Sequence, residues 1–148
     1  MTVQRLSVED APAMARLHAE GFDRPWSADD FAGFLTKRTY AAFGIVRDEK
    51  LQAFILYQQI PPELELCSIV VTPKFRRGGL ARTLITDSLA NFEDISTCYL
   101  EVNEHNTAAR LLYASLGFEI STVRNDYYRS HDGSACLLYT SDAADEGW

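Results

Sequence analysis

The stretch Ile69-Val70-Val71-Thr72-Pro73-Lys74-Phe75-Arg76-Arg77-Gly78-Gly79-Leu80-Ala81 most constrains what this chain can fold into, because an apolar run breaks at a proline, turns through a basic pair and two glycines, and opens a helix. Gly78 and Gly79 have no side chain to hold a ligand away and reach backbone angles that other residues avoid, so the main chain can curl around an anion. From Leu80 the positions Leu80, Ala81, Leu84, Ile85, Ser88, Leu89 and Phe92 follow helical spacing, with Arg82, Thr86, Asp87 and Asn91 on the other side. The order is therefore strand, tight loop and amphipathic helix. Its unpaired N–H groups and positive helix end suit a phosphate-bearing ligand, to which Arg76 and Arg77 add charge. The loop is not a P-loop, since the Lys and hydroxyl residue of G-x-x-x-x-G-K-[ST] are missing, and it lacks a full G-x-G-x-x-G. By itself it reads equally as an ordinary exposed strand-to-helix turn.

A second constellation follows downstream. Ser96 to Val102 is a short apolar run that reads as a strand, after which Asn103-Glu104-His105-Asn106 leads into a helix from Thr107 to Leu116, ended by Gly117 as a left-handed cap. Asn106 and Tyr113 are seven residues apart, so on a continuous helix they share one face at roughly 10 Å along the axis.

These segments resemble the GNAT superfamily of N-acetyltransferases. Arg76-Arg77-Gly78-Gly79-Leu80-Ala81 is similar to the family's acetyl-CoA pyrophosphate loop, [Q/R]-x-x-G-x-[G/A]. Leu100 to Phe118 is similar to the RimI-type branch, which acetylates the N-terminal alanine of a small-subunit ribosomal protein. Phe22-Asp23-Arg24-Pro25-Trp26-Ser27 and Arg124-Asn125-Asp126-Tyr127-Tyr128, followed by Asp132-Gly133, agree with that branch. The chain departs from the pattern at Ala81, where a second glycine is commoner, at Asn103, often basic in relatives, and in its ending after Tyr139.

The resemblance implies an α+β GNAT acyl-CoA N-acyltransferase fold, a mixed sheet of about six or seven strands flanked by about four helices. It implies that the strand ending at Val71 splays from the strand carrying Glu101, with acetyl-CoA in the gap and no metal. Ile69, Val70 and Val71 would bond the acetyl carbonyl and pantetheine arm, and the loop from Arg76 and Arg77 through Gly78, Gly79, Leu80, Ala81 and Arg82 would cradle the pyrophosphate. Asn106 would contact the cofactor, Glu101 would be the general base and Tyr113 the acid that protonates the departing thiolate. Trp26, Glu104 and Tyr127 are candidates for the acceptor side.

Reference acidities fit these roles unequally. An α-amino group loses its proton near pKa 8 and a lysine near 10.4, a gap of roughly 3 kcal/mol, so one carboxylate serves an N-terminus more easily. A phenol near 10 is a weaker acid than a thiol near 8.5, so full transfer from Tyr113 is uphill by roughly 2 kcal/mol and hydrogen-bond donation to the developing charge is the simpler role. Cys67, Cys98 and Cys136 have no neighbouring histidine motif that would suggest a covalent acyl-enzyme. Without the family match, Glu101 is a strand-end surface carboxylate and Tyr113 a core aromatic. His18, His105 and His131 lack metal-ligand spacing.

The 148 residues, 47% of them hydrophobic, suit one domain with a sizeable core, over residues 1–140, followed by an acidic tail at 141–148 that is expected to fray. Three cysteines without a C-x-x-C pair, no leader-like start and no apolar run of membrane-spanning length lead to the expectation of a cytoplasmic protein that touches no membrane. The net charge of −7 disfavours nucleic acid and favours a basic polypeptide acceptor, such as a ribosomal protein, served by a monomer or dimer. Two other readings stay open: a GNAT enzyme acting on a small amine or antibiotic, whose acceptor groove would be closed, and a non-catalytic CoA-binding module, which would keep the loop but lack Glu101 and Tyr113.

Further elements are read as a strand Val3 to Leu6, a helix Val8 to Glu20, and a helix capped by Ser27 and ending near Thr36. A hairpin of Tyr40 to Arg47 and Leu51 to Gln59 follows, then strands Leu64 to Val71, Glu119 to Arg124 and Ala135 to Thr140.

Overall fold

The structure, a computed structural model, describes residues 2–76, 78–103, 106–124 and 135–141. Among the described residues, seven strands form one mixed sheet in the order β1-β2-β3-β4-β5-β7-β6, and four α-helices accompany it. The strands are β1 Val3–Arg5, β2 Tyr40–Arg47, β3 Lys50–Ile60, β4 Glu63–Val71, β5 Thr97–Asn103, β6 Glu119–Arg124 and β7 Ala135–Ser141. The helices are α1 Ala11–Gly21, α2 Ala28–Leu35, α3 Leu80–Leu89 and α4 Thr107–Ser115. Every neighbouring pair is antiparallel except β4 and β5, which run parallel on either side of α3.

Two apolar cores lie on opposite faces of the sheet. One gathers Leu80, Leu84, Ile85 and Leu89 of α3 and Tyr113 of α4 against Ile55, Tyr57, Leu64 and Leu100. The other packs Met14 and Leu17 of α1 and Phe31 of α2 against Phe54, Leu56 and Val70. β3 is buried on both sides, which explains its almost unbroken apolar sequence. Its Tyr57 hydroxyl stays satisfied through a 2.6 Å hydrogen bond with Ser88 of α3.

Two helix boundaries differ from the sequence reading, each for a local reason. The expected Val8 to Glu20 helix begins as a separate 3-10 turn, Val8–Asp10, and becomes α-helical only at Ala11. Pro12 lacks an N–H and its ring would collide with the carbonyl four residues back, so a regular helix cannot run through Val8. Asn106 is not part of the helical face that carries Tyr113: it is the N-cap of α4, its Oδ1 accepting from the Ala109 amide at 3.2 Å. The Ser27 cap forms as expected, with Ser27 Oγ accepting from Asp30 N and Asp30 Oδ2 accepting from Ser27 N. β7 runs one residue past the expected Thr140, so Ser141 is strand, and residues 142–148 lie outside the described residues.

β4 carries the irregularity that opens the sheet. Leu56 of β3 pairs with Ser68 and Tyr57 pairs with Leu66, leaving Cys67 as the extra residue of a β-bulge. The bulge changes which residues face which core. Leu64 and Leu66 face the α3 side before it, Ile69 and Val71 face that side after it, and Val70 joins the α1 side. β4 and β5 pair only over Glu63 with Thr97, Leu64 with Cys98 and Glu65 with Tyr99, and their C-terminal halves share no pairing. The splay expected from the family resemblance is therefore present, and its lips are Leu66 to Val71 and Leu100 to Asn103.

Candidate active site

On the α3 side of the gap, β4 ends in the basic glycine turn. Gly79 has φ of +82°, a left-handed conformation that an L side chain adopts only with strain, and a Cβ added there would meet nothing within 4 Å. The turn thus leaves open space in front of α3. No side chain among the described residues caps α3, so its first amides are available to an anion, while the Gly79 carbonyl already accepts from Thr83 N at 3.0 Å. The described arginines on either side of the turn are engaged elsewhere. Arg76 Nε donates to the Val71 carbonyl at 3.1 Å, bracing the end of β4, and Arg82 donates to Ser115 Oγ at 2.6 Å, tying α3 to α4. An anion held here would be held by main-chain amides. Arg77 lies outside the described residues.

Upstream of the turn, Ile69, Val70 and Val71 form the β4 lip of the gap and pair with no β5 residue, the Val71 carbonyl being taken by Arg76. Ser68 is buried with its hydroxyl unpartnered among the described residues. Its register partner Leu56 belongs to the α1-side core, so this hydroxyl faces the α1 side of β4.

Tyr113 stands on the α3 side, in the core with Leu100 and Phe118. Its place is fixed by the end of α4: Phe118 N bonds the Tyr113 carbonyl at 3.0 Å, Gly117 N bonds the Ala114 carbonyl at 3.1 Å, and the two rings meet edge-on at 5.6 Å. This is a Schellman closure with its hydrophobic contact, and Gly117 takes the left-handed position at φ of +96°. Burial, with a smaller contribution from Cys98, pushes the Tyr113 phenol up to about 12.

The opposite face of the gap is acidic and aromatic. Cys98, Leu100 and Val102 belong to the α3-side core, so alternation along β5 sends Glu101 to the other side. There Glu101 lines a cavity of about 300 Å³ whose walls are Trp26, Phe34, Tyr40, Leu56 and Leu66. Gln58, Glu65 and Cys67 complete it. Several of these residues are only half-buried, so the cavity opens to solvent. Trp26 is held firmly: its backbone N–H donates to His18 Nδ1 at 2.9 Å, its ring stacks on the imidazole at 4.8 Å, and Phe31 and Phe34 meet it edge-on.

Glu65 and Cys67 are the residues that sequence reasoning missed. The Glu65 carboxyl is raised above the ordinary carboxylate range by burial and next by the charge of Glu101, while the Cys67 thiol beside it works in the opposite direction. Burial and Glu65 together push the Cys67 thiol up to about 12, so the cysteine in this cavity is a protonated wall residue, unlike a nucleophile. The alternation Glu63-Leu64-Glu65-Leu66 does signal a strand with one polar face, but nothing local shows that α2 and β2 wall that face in.

Glu101 and Tyr113 thus lie on opposite faces of the sheet, with the gap between them. Trp26 joins Glu101 in lining the cavity. Glu104 and Tyr127 lie outside the described residues. Among the described residues no cluster of His, Cys, Asp or Glu could hold a metal ion, and no helix is long and apolar enough to cross a membrane.

An opened mixed sheet with a glycine turn behind it and a carboxylate in front defines the acetyltransferase class. The profile of the Acetyltransferase (GNAT) family matches residues 9–118, and the chain belongs to that family. It is an acetyl-CoA-dependent N-acetyltransferase. It is 35% identical over 134 residues, 89% of this chain and 90% of the relative, to the [Ribosomal protein bS18]-alanine N-acetyltransferase of Escherichia coli (strain K12). It is 32% identical over 144 residues, 93% of this chain and 90% of the relative, to the N-alpha-acetyltransferase RimI of Mycobacterium tuberculosis. The crystal structure of the ribosomal-protein-S18-alanine N-acetyltransferase from Escherichia coli superposes with a TM-score of 0.85 at 32% identity, covering 95% of this chain and 93% of that one.

Proposed function

We propose that the acceptor is the α-amino group of a polypeptide with a small first residue, alanine in the first instance, on a basic ribosomal protein. The observation that carries this reading is the cavity at Glu101, small, walled by Trp26 and Phe34, and open to solvent. A volume of about 300 Å³ is at the lower end for a ligand site, enough for a first residue or two while the rest of a chain lies outside. A closed chamber would have favoured a small free amine. A ribosomal acceptor would place the reaction in the cytoplasm.

In this reading acetyl-CoA lies on the α3 side. The amides of Gly79, Leu80, Ala81 and Arg82 hold its pyrophosphate, the Gly78 amide being taken by the Phe75 carbonyl, Ile69 to Val71 receive the pantetheine arm, and Asn106 contacts it with whatever its capping role leaves free. The thioester, the acyl donor of the reaction, then reaches the gap at the level of Glu101. Glu101 takes one proton of the acceptor ammonium, directly or through one water; the freed nitrogen forms the new amide bond as the carbon–sulfur bond breaks, and its second proton leaves with the sulfur as the coenzyme A thiol. Tyr113 faces the sulfur side. With its phenol pushed to about 12 it is a still weaker acid than the reference tyrosine, so it serves as a hydrogen-bond donor to the charge developing on sulfur. Direct attack needs no cysteine, in keeping with the protonated Cys67 thiol.

The test is incubation with acetyl-CoA and peptides that differ only in their first residue, with an N-blocked, lysine-bearing peptide as control, read by mass. A gain of one acetyl group on Ala-first peptides and none on the control is the expected result. Acetylation of the blocked peptide or of small amines in preference would overturn the assignment of the acceptor.

A further inference from the structure

The acceptor cavity holds a second carboxylate that the proposed mechanism does not use. Glu65 sits at the last paired position of β4 before the gap, and Glu101 lies two residues beyond its partner Tyr99 on β5. Ideal strand geometry puts the two Cα atoms roughly 8 Å apart, and both side chains line the same cavity. An ammonium between two such carboxylates can meet both at once.

We propose that Glu65 is the acceptor-binding carboxylate: it receives the substrate's ammonium group in the aromatic-walled cavity and hands it to Glu101, so that Glu65 governs acceptor affinity while Glu101 governs turnover. The proposal deepens the reading of the acceptor given above and rests on it.

Three observations support this division. First, Trp26, Phe34 and Tyr40 supply low-dielectric walls, and an ion pair gains strength where water is thinned. Second, the described groups that act on Glu65 are acidic or neutral: Glu101 and Tyr99 on β5, Tyr40 on β2 and Cys67 on β4 itself. Two carboxylates lining one cavity favour a cationic ligand over a neutral or anionic one. Third, Cys67, which flanks Glu65 with its sulfur 3.9 Å from Oε1, is the bulge residue, so the irregularity that opens the gap also sets Glu65 at its entrance.

The pH behaviour follows in sign. The Glu65 carboxyl is raised by burial and by Glu101, so binding through its ionised form is complete at neutral pH and is lost, as pH falls, earlier than for an ordinary carboxylate. Acceptor affinity should decline on the acid side while cofactor affinity does not.

The experiment compares the unsubstituted chain with Glu65→Gln, Glu65→Asp and Glu101→Gln, using an Ala-first octapeptide and acetyl-CoA. Glu65→Gln is expected to raise KM for the peptide about tenfold or more, with kcat within about threefold and the Kd for coenzyme A unchanged. Its kcat/KM profile should lose the raised acid limb, which moves to lower pH. Glu65→Asp, which keeps the charge, should recover most of the KM, and Glu101→Gln should instead lower kcat. An unchanged KM and acid limb in Glu65→Gln, or a loss confined to kcat, overturns the role of Glu65 while leaving the acceptor reading intact. Should Glu65→Gln fail to fold, as its coenzyme A affinity would reveal, an Asp variant with the KM of the unsubstituted chain upholds the proposal and one with a tenfold higher KM overturns it. Absence of peptide acetylation by the unsubstituted chain overturns both readings together.

Discussion

At the scale of single residues, acidity and position divide the work. Tyr113 is buried, anchored against Phe118 and pushed to about 12, so in the proposed reaction it would donate a hydrogen bond more readily than release a proton. Tyr113→Phe should lower kcat by roughly ten- to a hundredfold, the range of one lost donor to a developing charge or somewhat less, with little change in coenzyme A affinity. Equal kcat in steady-state assays would remove Tyr113 from the reaction. His18 makes a different kind of prediction. Its imidazole accepts the Trp26 N–H, and burial lowers its pKa below 6.5. A folded pKa lower than the unfolded one means that the folded state binds fewer protons, so this stabilisation is full above about 6.5 and is lost as pH falls through the lower folded value. The melting temperature should therefore drop on acidification over that range, and less so in His18→Gln, which keeps an acceptor but does not titrate; parallel curves in thermal unfolding would contradict the role. Residue identity was legible in part. Glu101, Tyr113 and Trp26 stand out through the family resemblance, whereas Glu65 is one of many acidic residues in the sequence and acquires meaning only when β5 sets Glu101 beside it.

At the scale of elements, two left-handed glycines hold the site in shape. Gly79→Val forces a β-branched residue into φ of +82° and puts its side chain into the open space before α3. Coenzyme A binding by calorimetry should be lost while the far-UV dichroism stays close to that of the unsubstituted chain, since only the turn is disturbed; retained affinity would refute the turn as the anion cradle. Gly117→Ala should cost about 1 kcal/mol of stability by denaturant unfolding, because the Schellman closure needs a left-handed residue there. The kcat should fall as well, since that closure fixes Tyr113. The elements themselves were largely readable: periodicity marks α3, Ser27 and Asp30 mark α2, and Gly117 marks the end of α4. Boundaries failed where a proline or a cap intervened, at Val8–Asp10 and at Asn106. The bulge at Cys67 is hard to place from sequence, because Leu66 to Val71 is apolar at nearly every position and only the pairing with β3 fixes the extra residue.

For the whole molecule, charge and topology decide which partners can approach. A net charge of −7 attracts a basic polypeptide at long range, an effect that salt screens with a Debye length of about 10 Å at 0.1 M. The kcat/KM for an Ala-first peptide carrying several Lys and Arg residues should fall several-fold between low and physiological salt, and that for a neutral peptide should not. A common salt dependence for both would assign the effect to the cofactor's phosphates instead. The general layout follows from the order of helical and strand patterns, but the strand order does not. β7 inserts between β5 and β6, a long-range pairing that no neighbouring residues announce.

In the proposed reading, the change of facing at Cys67 would let the donor enter the gap from behind and the acceptor from in front. Donor and acceptor would then not queue for a common doorway, and neither would have to depart before the other arrives. A conjugate that tethers a CoA-like arm to a short Ala-first peptide would thread the opening from both directions and seal it like a bolt.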